Sequence, residues 1–376
     1  MTIRPSNPTL KTPSRAGSVL IIVLWIAFGL VALTLYFGNS MSMELSASDN
    51  RVAAVEADQA IEGAACYVSN ILANLAQPGV LPDPANYRAE AVPVGDATFW
   101  LIGRDTNNLA VNTDLPVFGL TAETSKLNLN TATAAMFQYL PNMTTTLAAA
   151  MNDWRTTNTT PSASGAKSET YSKLPQPYYC KNTNYESVDE LRLVSGMDLT
   201  MLYGEDMNLN GALDANEDDA DVLPPTDNHN GVLEPGILEY VTVWSHEAAT
   251  ASNGLARINV TTANAARQIR SRMTNYFDSK KIAQFAAAAG NGPWTSPLDY
   301  FMASKMSTTD FALLEGDLIG TTTNGLININ TASQAVLSCI PGIGPDLAAQ
   351  VAACDGSGRG AWSYSEEISW SACPAT

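Results

Sequence analysis

One acidic segment of the sequence has residues of the types and spacing that bind a divalent cation. Residues 206–217 follow the calcium-loop pattern D-x-[DN]-x-[DN]-G-x5-E without a gap. Calcium is a hard cation that prefers oxygen ligands, and the glycine at position 211 permits the sharp bend that such a loop needs. The predicted ligands are Asp206, Asn208, Asn210, the carbonyl of Ala212, Asp214 (directly or through water) and Glu217. An Asx-rich turn is the alternative, but agreement at every constrained position favours calcium.

A second, incomplete copy of this pattern follows in residues 226–234. Aligned on its glycine, the residues in register are Asn228, Asn230 and Glu234, whereas Thr226 and Ile237 replace the first and last ligands. The segment could bind a second calcium ion, or it could be only a turn. A second ion would need Asp227 or carboxylates borrowed from Asp218, Asp219 and Asp221. Since neighbouring carboxylates repel one another without a cation, we expect a chelator to loosen residues 206–221.

The charge balance of the chain disfavours two classes of function. Its 376 residues include 37 acidic and 20 basic ones, which gives a formal net charge of -17. A protein that binds nucleic acid neutralises phosphates with Lys and Arg, so we expect no nucleic-acid partner. The two histidines, His229 and His246, provide little for histidine-based catalysis, and no common hydrolase or nucleotide-loop motif is present. We therefore do not expect an enzyme.

The amino terminus predicts a single membrane anchor. Residues 18–37 carry no charge and would span roughly 30 Å of hydrocarbon as a helix. The preceding residues contain three bases and no acid, which keeps them in the cytoplasm and exports the rest of the chain. The apolar spacing of residues 45–75 predicts that the helix continues and ends near residues 77–79, Gln-Pro-Gly. A signal anchor followed by a core helix is the alternative reading.

The small residue at this anchor, Gly17, precedes the apolar run. An ordinary secretory signal has its small cleavage residues after that run. A cut after Gly17 would instead remove the basic leader and leave the helix attached, with Ser18 as its first residue. This arrangement is typical of a prepilin signal.

The exported part predicts an α+β fold. Short strands are expected at residues 98–102, near 116–120 and at 238–245, with a helical, loop-rich insertion between them. A strand-to-helix joint recurs at residues 127–132, 258–263 and 327–332, where an Asn or Thr is expected to cap the Ala-rich helix that follows. The unequal intervals exclude a solenoid.

The third joint leads into a helix-hairpin-helix pattern around Pro341-Gly342-Ile343-Gly344, and a weaker hairpin follows the first joint at residues 140–147. DNA-binding versions hold phosphate with hairpin amides and nearby bases. Residues 334–355 contain no Lys or Arg, so we expect a role in packing or protein contact. A membrane-anchored helix-hairpin-helix DNA-uptake receptor is the alternative function.

Taken together, these motifs resemble the general secretion pathway protein K family, the large minor pseudopilin of type II secretion systems. The resemblance rests on Gly17 with its uncharged helix containing Trp25, on residues 126–132, 185–191 and 238–243, on the acidic loop and on the carboxy-terminal hairpin. Most pilins have a glutamate at the fifth mature position, where this chain has Ile22. The K-type pseudopilin typically lacks that glutamate.

The resemblance implies a position at the tip of the pseudopilus, where the protein helps to initiate pseudopilus assembly and protein export across the outer membrane. The implied partners are the minor pseudopilins I and J, the major pseudopilin, the inner-membrane assembly platform and a prepilin peptidase that cuts after Gly17 and methylates Ser18. The implied location is the inner membrane, crossed once, with the carboxy-terminal body in the periplasm. Calcium is the implied cofactor.

The expected fold is a pilin-like α+β domain interrupted by a large helical domain with SAM-like, helix-hairpin-helix elements. The expected parts are a leader at residues 1–17, a transmembrane helix at 18–40, a pilin-like helix and first strands at 41–126, the inserted domain with the calcium loop at 127–236, returning strands at 237–262 and a helical region with the hairpin at 263–376.

Five cysteines would face an oxidising compartment if the body is exported, so up to two disulfides could form. Their pairing cannot be read from the sequence. Cys354 with Cys373 would tie down the glycine-rich tail.

Overall fold

The computed structural model describes residues 16–74, 84–103, 117–220, 222–251, 253–292, 294, 296–320, 324–329 and 331–353. The chain divides into two compact units. One consists of residues 1–74 and 89–100, and the other of residues 75–88 and 101–376. Most of the predicted leader, the predicted helix end at 77–79 and Asp221 lie outside the described residues.

The first unit is dominated by one helix, α1 (Ala16–Ala73), which runs without a break through the apolar and the amphipathic segments. This confirms the prediction of one long helix. Its apolar side chains from Val19 to Phe37 are exposed, as expected for a segment that lipid would surround. Within the described residues, it is the one helix long and apolar enough to cross a membrane, which is consistent with a single-pass anchor.

A hairpin completes this unit. Strands β1 (Val92–Val94) and β2 (Ala97–Phe99) pair antiparallel through a turn at Gly95. The hairpin packs on α1, where the rings of Tyr67 and Phe99 lie 5.9 Å apart. The predicted order of a helix followed by a strand is therefore present.

In the part that the structure describes, the second unit contains three pairs of very short strands. Strands β3 (Ile102–Gly103) and β4 (Val117–Phe118) are antiparallel. Strands β5 (Leu127–Asn128) and β6 (Val241–Thr242) are parallel, as are β7 (Ile258–Asn259) and β8 (Leu318–Ile319). The strand predicted at residues 98–102 is divided between β2 and β3 because the chain changes partner after Phe99.

The strand predicted at residues 238–245 is reduced to β6. A 3-10 helix, Ile237–Glu239, takes the place of its first half. The amide of Tyr240 closes this turn by donating to the carbonyl of Ile237 at 2.9 Å. Backbone groups that are used in a local turn cannot extend a strand ladder, so only residues 241 and 242 pair with β5.

The helices of the second unit enclose two hydrophobic cores. They are α2 (Ala134–Phe137), α3 (Thr145–Arg155), α4 (Ser168–Tyr171), α5 (Leu199–Tyr203), α6 (Ala265–Arg272), α7 (Ser279–Gly290), α8 (Pro297–Ser304), α9 (Thr308–Leu314), α10 (Gln334–Ser338) and α11 (Gly344–Ala353). The first core joins α2–α5 and strands β5 and β6 with α10 and α11. The second core is built from residues 258–318. The carboxy-terminal helices thus pack with the earlier part of the chain.

The recurring joint forms a strand in its first two copies, β5 and β7, and a turn in all three. Asn128 Oδ1 accepts from the amide of Asn130 at 2.8 Å, and Asn259 Oδ1 accepts from that of Thr261 at 2.9 Å. The prediction that the joint itself caps the helix is wrong, because its Asn side chains are used in these local turns. In the first and third copies the cap is the next residue, Thr133 or Ser333.

Three of the five cysteines, Cys66, Cys180 and Cys339, are free thiols. Cys180 and Cys339 are buried, and burial raises the pKa of the Cys339 thiol to about 12. Cys354 and Cys373 lie outside the described residues.

Candidate divalent-cation site

The first acidic loop begins directly after α5 and has the backbone of a tight cation-binding turn. Leu209 and Gly211 have φ angles of 58° and 70°. A Cβ atom at residue 211 would lie 2.2 Å from Cγ2 of Ile102, so both the backbone angle and the close packing require glycine there. The loop therefore needs the Gly211 that the pattern contains.

The side chains of this loop turn inward and bind its own amides. The two carboxylate oxygens of Asp206 accept from the amides of Asn210 and Gly211 at 3.0 and 2.9 Å. The carboxylate of Asp214 accepts from the side-chain amides of Asn208 and Asn210 at 2.7 and 2.9 Å. These hydrogen bonds hold the side chains of Asp206, Asn208, Asn210 and Asp214 within one tight loop.

The last predicted ligand, Glu217, has an oxygen without a partner. Its Oε2 accepts from the amide of Asp214 at 3.0 Å, and its buried Oε1 has no partner at good hydrogen-bond geometry, although the backbone amide of Met207 favours the charged carboxylate. The side chain is 1 % exposed. Burial, together with the neighbouring carboxylates of Asp206 and Asp214, raises the pKa of Glu217. A buried carboxylate oxygen of this kind is costly unless a cation or a donor faces it.

These residues fit a calcium ion by the chemistry of their donor atoms. The donors are carboxylate and amide oxygens, with the carbonyl of Ala212 available at the predicted position, and a hard cation prefers such oxygens. A cation would also compensate the orphaned Glu217 oxygen and the repulsion among the carboxylates.

The second acidic loop repeats the hydrogen bonds of the first. His229 and Gly231 have φ angles of 53° and 72°. The side-chain amides of Asn228 and Asn230 both donate to Glu234 Oε1 at 3.0 Å, as those of Asn208 and Asn210 do to Asp214. The second segment is therefore more than an isolated turn with a similar sequence, since these side-chain contacts match their counterparts in the first loop.

Two carboxylates from outside residues 226–234 complete the second loop. Asp218 Oδ1 accepts from the amide of Gly231 at 3.1 Å, which is the role that Asp206 has for Gly211. Glu205 Oε2 accepts from the amide of Glu234 at 2.9 Å, which is the role that Glu217 has for Asp214. Thus Asp218 and Glu205 occupy the first and last positions, where the continuous alignment has Thr226 and Ile237.

Glu205 is the site residue that sequence reasoning missed. It is 5 % exposed, and burial, followed by repulsion from Glu234, Asp227 and Asp218, raises its pKa to about 7. The sequence does contain a repeated Glu-Asp dipeptide at the two ends of the first loop, as Glu205-Asp206 and Glu217-Asp218. A search for continuous calcium loops cannot find a ligand that precedes the loop it completes.

The other acidic residues predicted for this site bind backbone amides. Asp219 Oδ1 accepts from Val222 and Leu223 at 3.0 and 3.1 Å. Asp227 accepts from the amides of Asp219, Ala220 and His229. Ligand atoms of Asp218, Asp227 and His229 nevertheless lie within 4.8 Å of one another, so Asp227 borders the second loop. Asp221 lies outside the described residues.

The predicted processing residues, Gly17 and Ser18, lie in the first turn of α1. Because the residues before Ala16 are outside the described residues, the structure gives no contacts for the cleavage site.

Comparison with known proteins identifies one family. Residues 112–203 match the family model of type II secretion system (T2SS) protein K, and this confirms the resemblance indicated by the sequence. The matched segment includes β5 and α2–α5, that is, the part of the first core that precedes the acidic loops. A search of curated proteins found no match to the chain.

Proposed function

From the premise that this chain is a type II secretion system protein K, we propose that it is a minor pseudopilin at the tip of the pseudopilus. There it helps to initiate pseudopilus assembly and protein export across the outer membrane. The observation that carries this proposal is the uncharged start of α1, which has Ile22 where most pilins have a glutamate.

The missing carboxylate suits the topmost subunit. In these filaments the glutamate is thought to meet the amino group of the subunit above it, and a tip subunit has none above. A carboxylate inside the bilayer is also costly, so a helix without one leaves the membrane more easily when assembly begins. A subunit with such a helix would therefore be the one that leaves the bilayer at the lowest free-energy cost and could start the filament.

The size of the body supports the same position. Two helical cores, at residues 127–353, follow the hairpin of β1 and β2. A subunit with so much additional mass is too wide to be stacked within a shaft of smaller subunits, whereas a tip has room for it.

The proposed location, processing and partners follow from this role. The chain crosses the inner membrane once, with its body in the periplasm, and a prepilin peptidase cuts after Gly17 and methylates Ser18. Its proposed partners are the minor pseudopilins I and J, the major pseudopilin and the inner-membrane assembly platform.

Intact mass of the membrane-extracted chain tests the processing step. We expect a protein that begins at Ser18 with one added methyl group. A Gly17→Val variant should keep its leader, whereas the matched variant Gly29→Val, in the same helix at a position with no neighbour within 4 Å, should be processed normally. If the native chain still starts before Ser18 in cells with an active prepilin peptidase, the proposal that it is a pseudopilin is contradicted.

Labelling of assembled filaments tests the tip. Gold particles directed to an epitope in the body should mark one end of each pseudopilus. Label distributed along the shaft would contradict the tip position while leaving the family unchanged.

We further propose that the first acidic loop binds calcium through Asp206, Asn208, Asn210, Ala212, Asp214 and Glu217. The supporting observation is the buried, unpartnered Glu217 Oε1. The second loop would bind another ion with Asp218, Asn228, Asn230, Glu234 and Glu205, and Asp227 lies beside it. The bound cation neutralises the carboxylates and holds the segment that joins α5 to β6 in one conformation.

Chelation tests the calcium proposal. In the full chain kept in detergent, a calcium chelator should lower the unfolding temperature and open residues 206–234 to proteolysis, and calcium should reverse both effects. Magnesium at the same concentration is the control, because it is smaller and strips its water less readily. An unchanged unfolding temperature and cleavage pattern would refute a calcium site.

The DNA-uptake alternative receives no support. Residues 334–353, which form α10, the turn and α11, contain no Lys or Arg. Salt-sensitive binding of duplex DNA by the chain would be needed to revive it.

A further inference from the structure

We propose that one end of the second core is a docking surface for anionic phospholipid headgroups of the bilayer that anchors the chain. This surface, which we call the basic end, consists of Arg270, Tyr276, Lys280, Lys281 and Lys305. The inference rests on the membrane anchor proposed above for α1, and it adds a second, reversible contact with the membrane.

The helices around the second core carry a charge opposite in sign to that of the whole chain. Residues 265–310 have a formal charge of +3, whereas the chain has -17. The six bases of this segment are Arg267, Arg270, Arg272, Lys280, Lys281 and Lys305, and its three acids are Asp278, Asp299 and Asp310. Because salt screens charges beyond about 8–10 Å, the local sign decides which surface this part of the molecule attracts.

The packing of α6 on α7 brings the first bases to one end of the core. A Cβ atom added at Gly290, the last residue of α7, would lie 3.9 Å from that of Ala266 at the start of α6. The two helices are therefore antiparallel. Arg270, in the last turn of α6, consequently lies at the same end as Lys280, in the first turn of α7.

The junction of α8 and α9 lies at this end as well. Nζ of Lys281, in the first turn of α7, is 2.8 Å from Oδ1 of Asp310 in α9. One turn later, Nε2 of Gln284 donates to the carbonyl of Ser304, the last residue of α8, at 2.9 Å. Lys305 directly follows that residue and caps α8, so it joins the other bases.

Three of these bases have no counter-charge within the described residues. Arg270, Lys280 and Lys305 are exposed, and none has an ion pair or a side-chain hydrogen bond to another described residue. Of the two acids at this end, Asp310 forms the ion pair with α7, and Asp278 accepts from two amides as the cap of that helix. The basic end therefore presents three cationic groups to an anionic partner.

Exposed apolar groups at the same end favour a bilayer as that partner. Tyr276, in the turn between α6 and α7, is 48 % exposed, and Met302, near the end of α8, is 71 % exposed. Tyrosine is enriched where a membrane meets water, because its ring is apolar and its hydroxyl is polar. A headgroup layer is also deformable, so it can contact the ends of several helices without a matching pocket.

The anchor makes a modest affinity sufficient. Each base near an anionic surface strengthens binding about fivefold, so three bases give on the order of 100-fold. Because α1 holds the chain in the same bilayer, the basic end meets the headgroups at a high effective concentration. A contact of this strength can hold the second core at the membrane and still be released when the subunit moves into a filament.

Hydrogen exchange of the full chain in lipid nanodiscs provides the test. One set of discs contains phosphatidylcholine only, and the other contains phosphatidylcholine with phosphatidylglycerol. The amides of residues 270–281 should exchange more slowly in the anionic discs than in the neutral ones. High salt should remove the difference, because the contact is electrostatic.

Matched variants separate the basic end from the charge of the whole chain. Lys280→Gln should reduce the slowing in anionic discs by up to about fivefold, and Arg270→Gln with Lys280→Gln should nearly abolish it. Lys173→Gln removes an equally exposed lysine from the first core and should leave the slowing unchanged. Equal unfolding temperatures in detergent would show that the variants fold normally.

The outcomes separate this inference from the proposed anchor. Equal exchange in the two kinds of disc, or a slowing that Lys173→Gln reduces as much as Lys280→Gln, overturns the inference while the anchor stands. If soluble polyglutamate slows exchange at residues 270–281 in neutral discs and anionic lipid does not, the surface serves an acidic protein and the inference is again overturned. A chain that enters neither kind of disc contradicts the anchor itself.

Discussion

Replacement of Glu217 by glutamine should change the stability of the protein in opposite directions with and without calcium. The side chain is buried, its Oε2 accepts from the amide of Asp214, and its Oε1 has no partner among the described residues. Glutamine has nearly the same shape and can keep the first of these contacts. The substitution thus removes charge and cation affinity while leaving packing nearly unchanged.

Without calcium, the native carboxylate is a buried charge that faces Asp206 and Asp214. A buried acceptor without a donor costs about 1–3 kcal/mol, so Glu217→Gln should raise the free energy of unfolding by about 1 kcal/mol in chelator. With calcium at about 100 times its Kd, ion binding contributes about 2.7 kcal/mol to the native protein, and an ion held about 100-fold more weakly contributes about 0.4 kcal/mol. The variant should therefore be less stable than the native chain by about 1 kcal/mol in calcium.

Thermal unfolding of the full chain in detergent, followed by far-UV circular dichroism, measures both effects. For a body of this size, 1 kcal/mol corresponds to about 2–4 °C. The variant should melt above the native chain in chelator and below it in calcium. Glu62→Gln, at an exposed acid within α1, makes the same exchange away from the loops and should change little in either buffer. A Glu217→Gln shift of the same sign in both buffers would refute the reasoning.

Three further substitutions test packing around the site and in the first core. Gly204→Ala would place a Cβ atom 2.1 Å from the carbonyl oxygen of Glu234, at a residue with φ of 76°. We therefore expect the free energy of unfolding in urea to fall by more than about 2 kcal/mol and calcium binding to weaken. An unchanged urea midpoint would contradict the close approach. Lys167→Met leaves three acceptors without their donor, the buried carbonyl of residue 153 and the partly buried carbonyl of residue 156 and side chain of Asn182. It should lower the free energy of unfolding by about 2 kcal/mol or more, which equal urea midpoints would disprove. Thr133→Ala removes the cap of α2 and should cost about 1 kcal/mol in the same assay, whereas Thr133→Ser should cost much less.

The parts of the fold that were predictable have strong, continuous signals. The helix α1 could be predicted because its apolar run and its later amphipathic spacing are uninterrupted over many turns. The tight turn of the first acidic loop could be predicted because the residues of its pattern, including Gly211, follow one another in sequence. In both, the residues that decide the structure are neighbours along the chain.

The parts that could not be predicted depend on contacts between distant residues. Strand β6 is two residues long, and its extent is set by pairing with β5 more than a hundred residues earlier, while its apolar flank at Ile237 forms a 3-10 turn. Glu205 was missed because it completes a loop that begins after it, through a hydrogen bond to the amide of Glu234. Local pattern carries no information on either contact.

The order of the two cores along the chain has a consequence for folding during synthesis. The first core needs side chains from distant parts of the second unit, because Val336 and Leu337 of α10 belong to the same buried cluster as Leu127 and Leu147. The second core is continuous, at residues 258–318. As the body emerges into the periplasm from its amino end, the core that emerges later can close first. The apolar residues of the first core stay exposed until the last helices have emerged. A chain that ends near residue 330 would therefore have a folded second core attached to an incomplete first core.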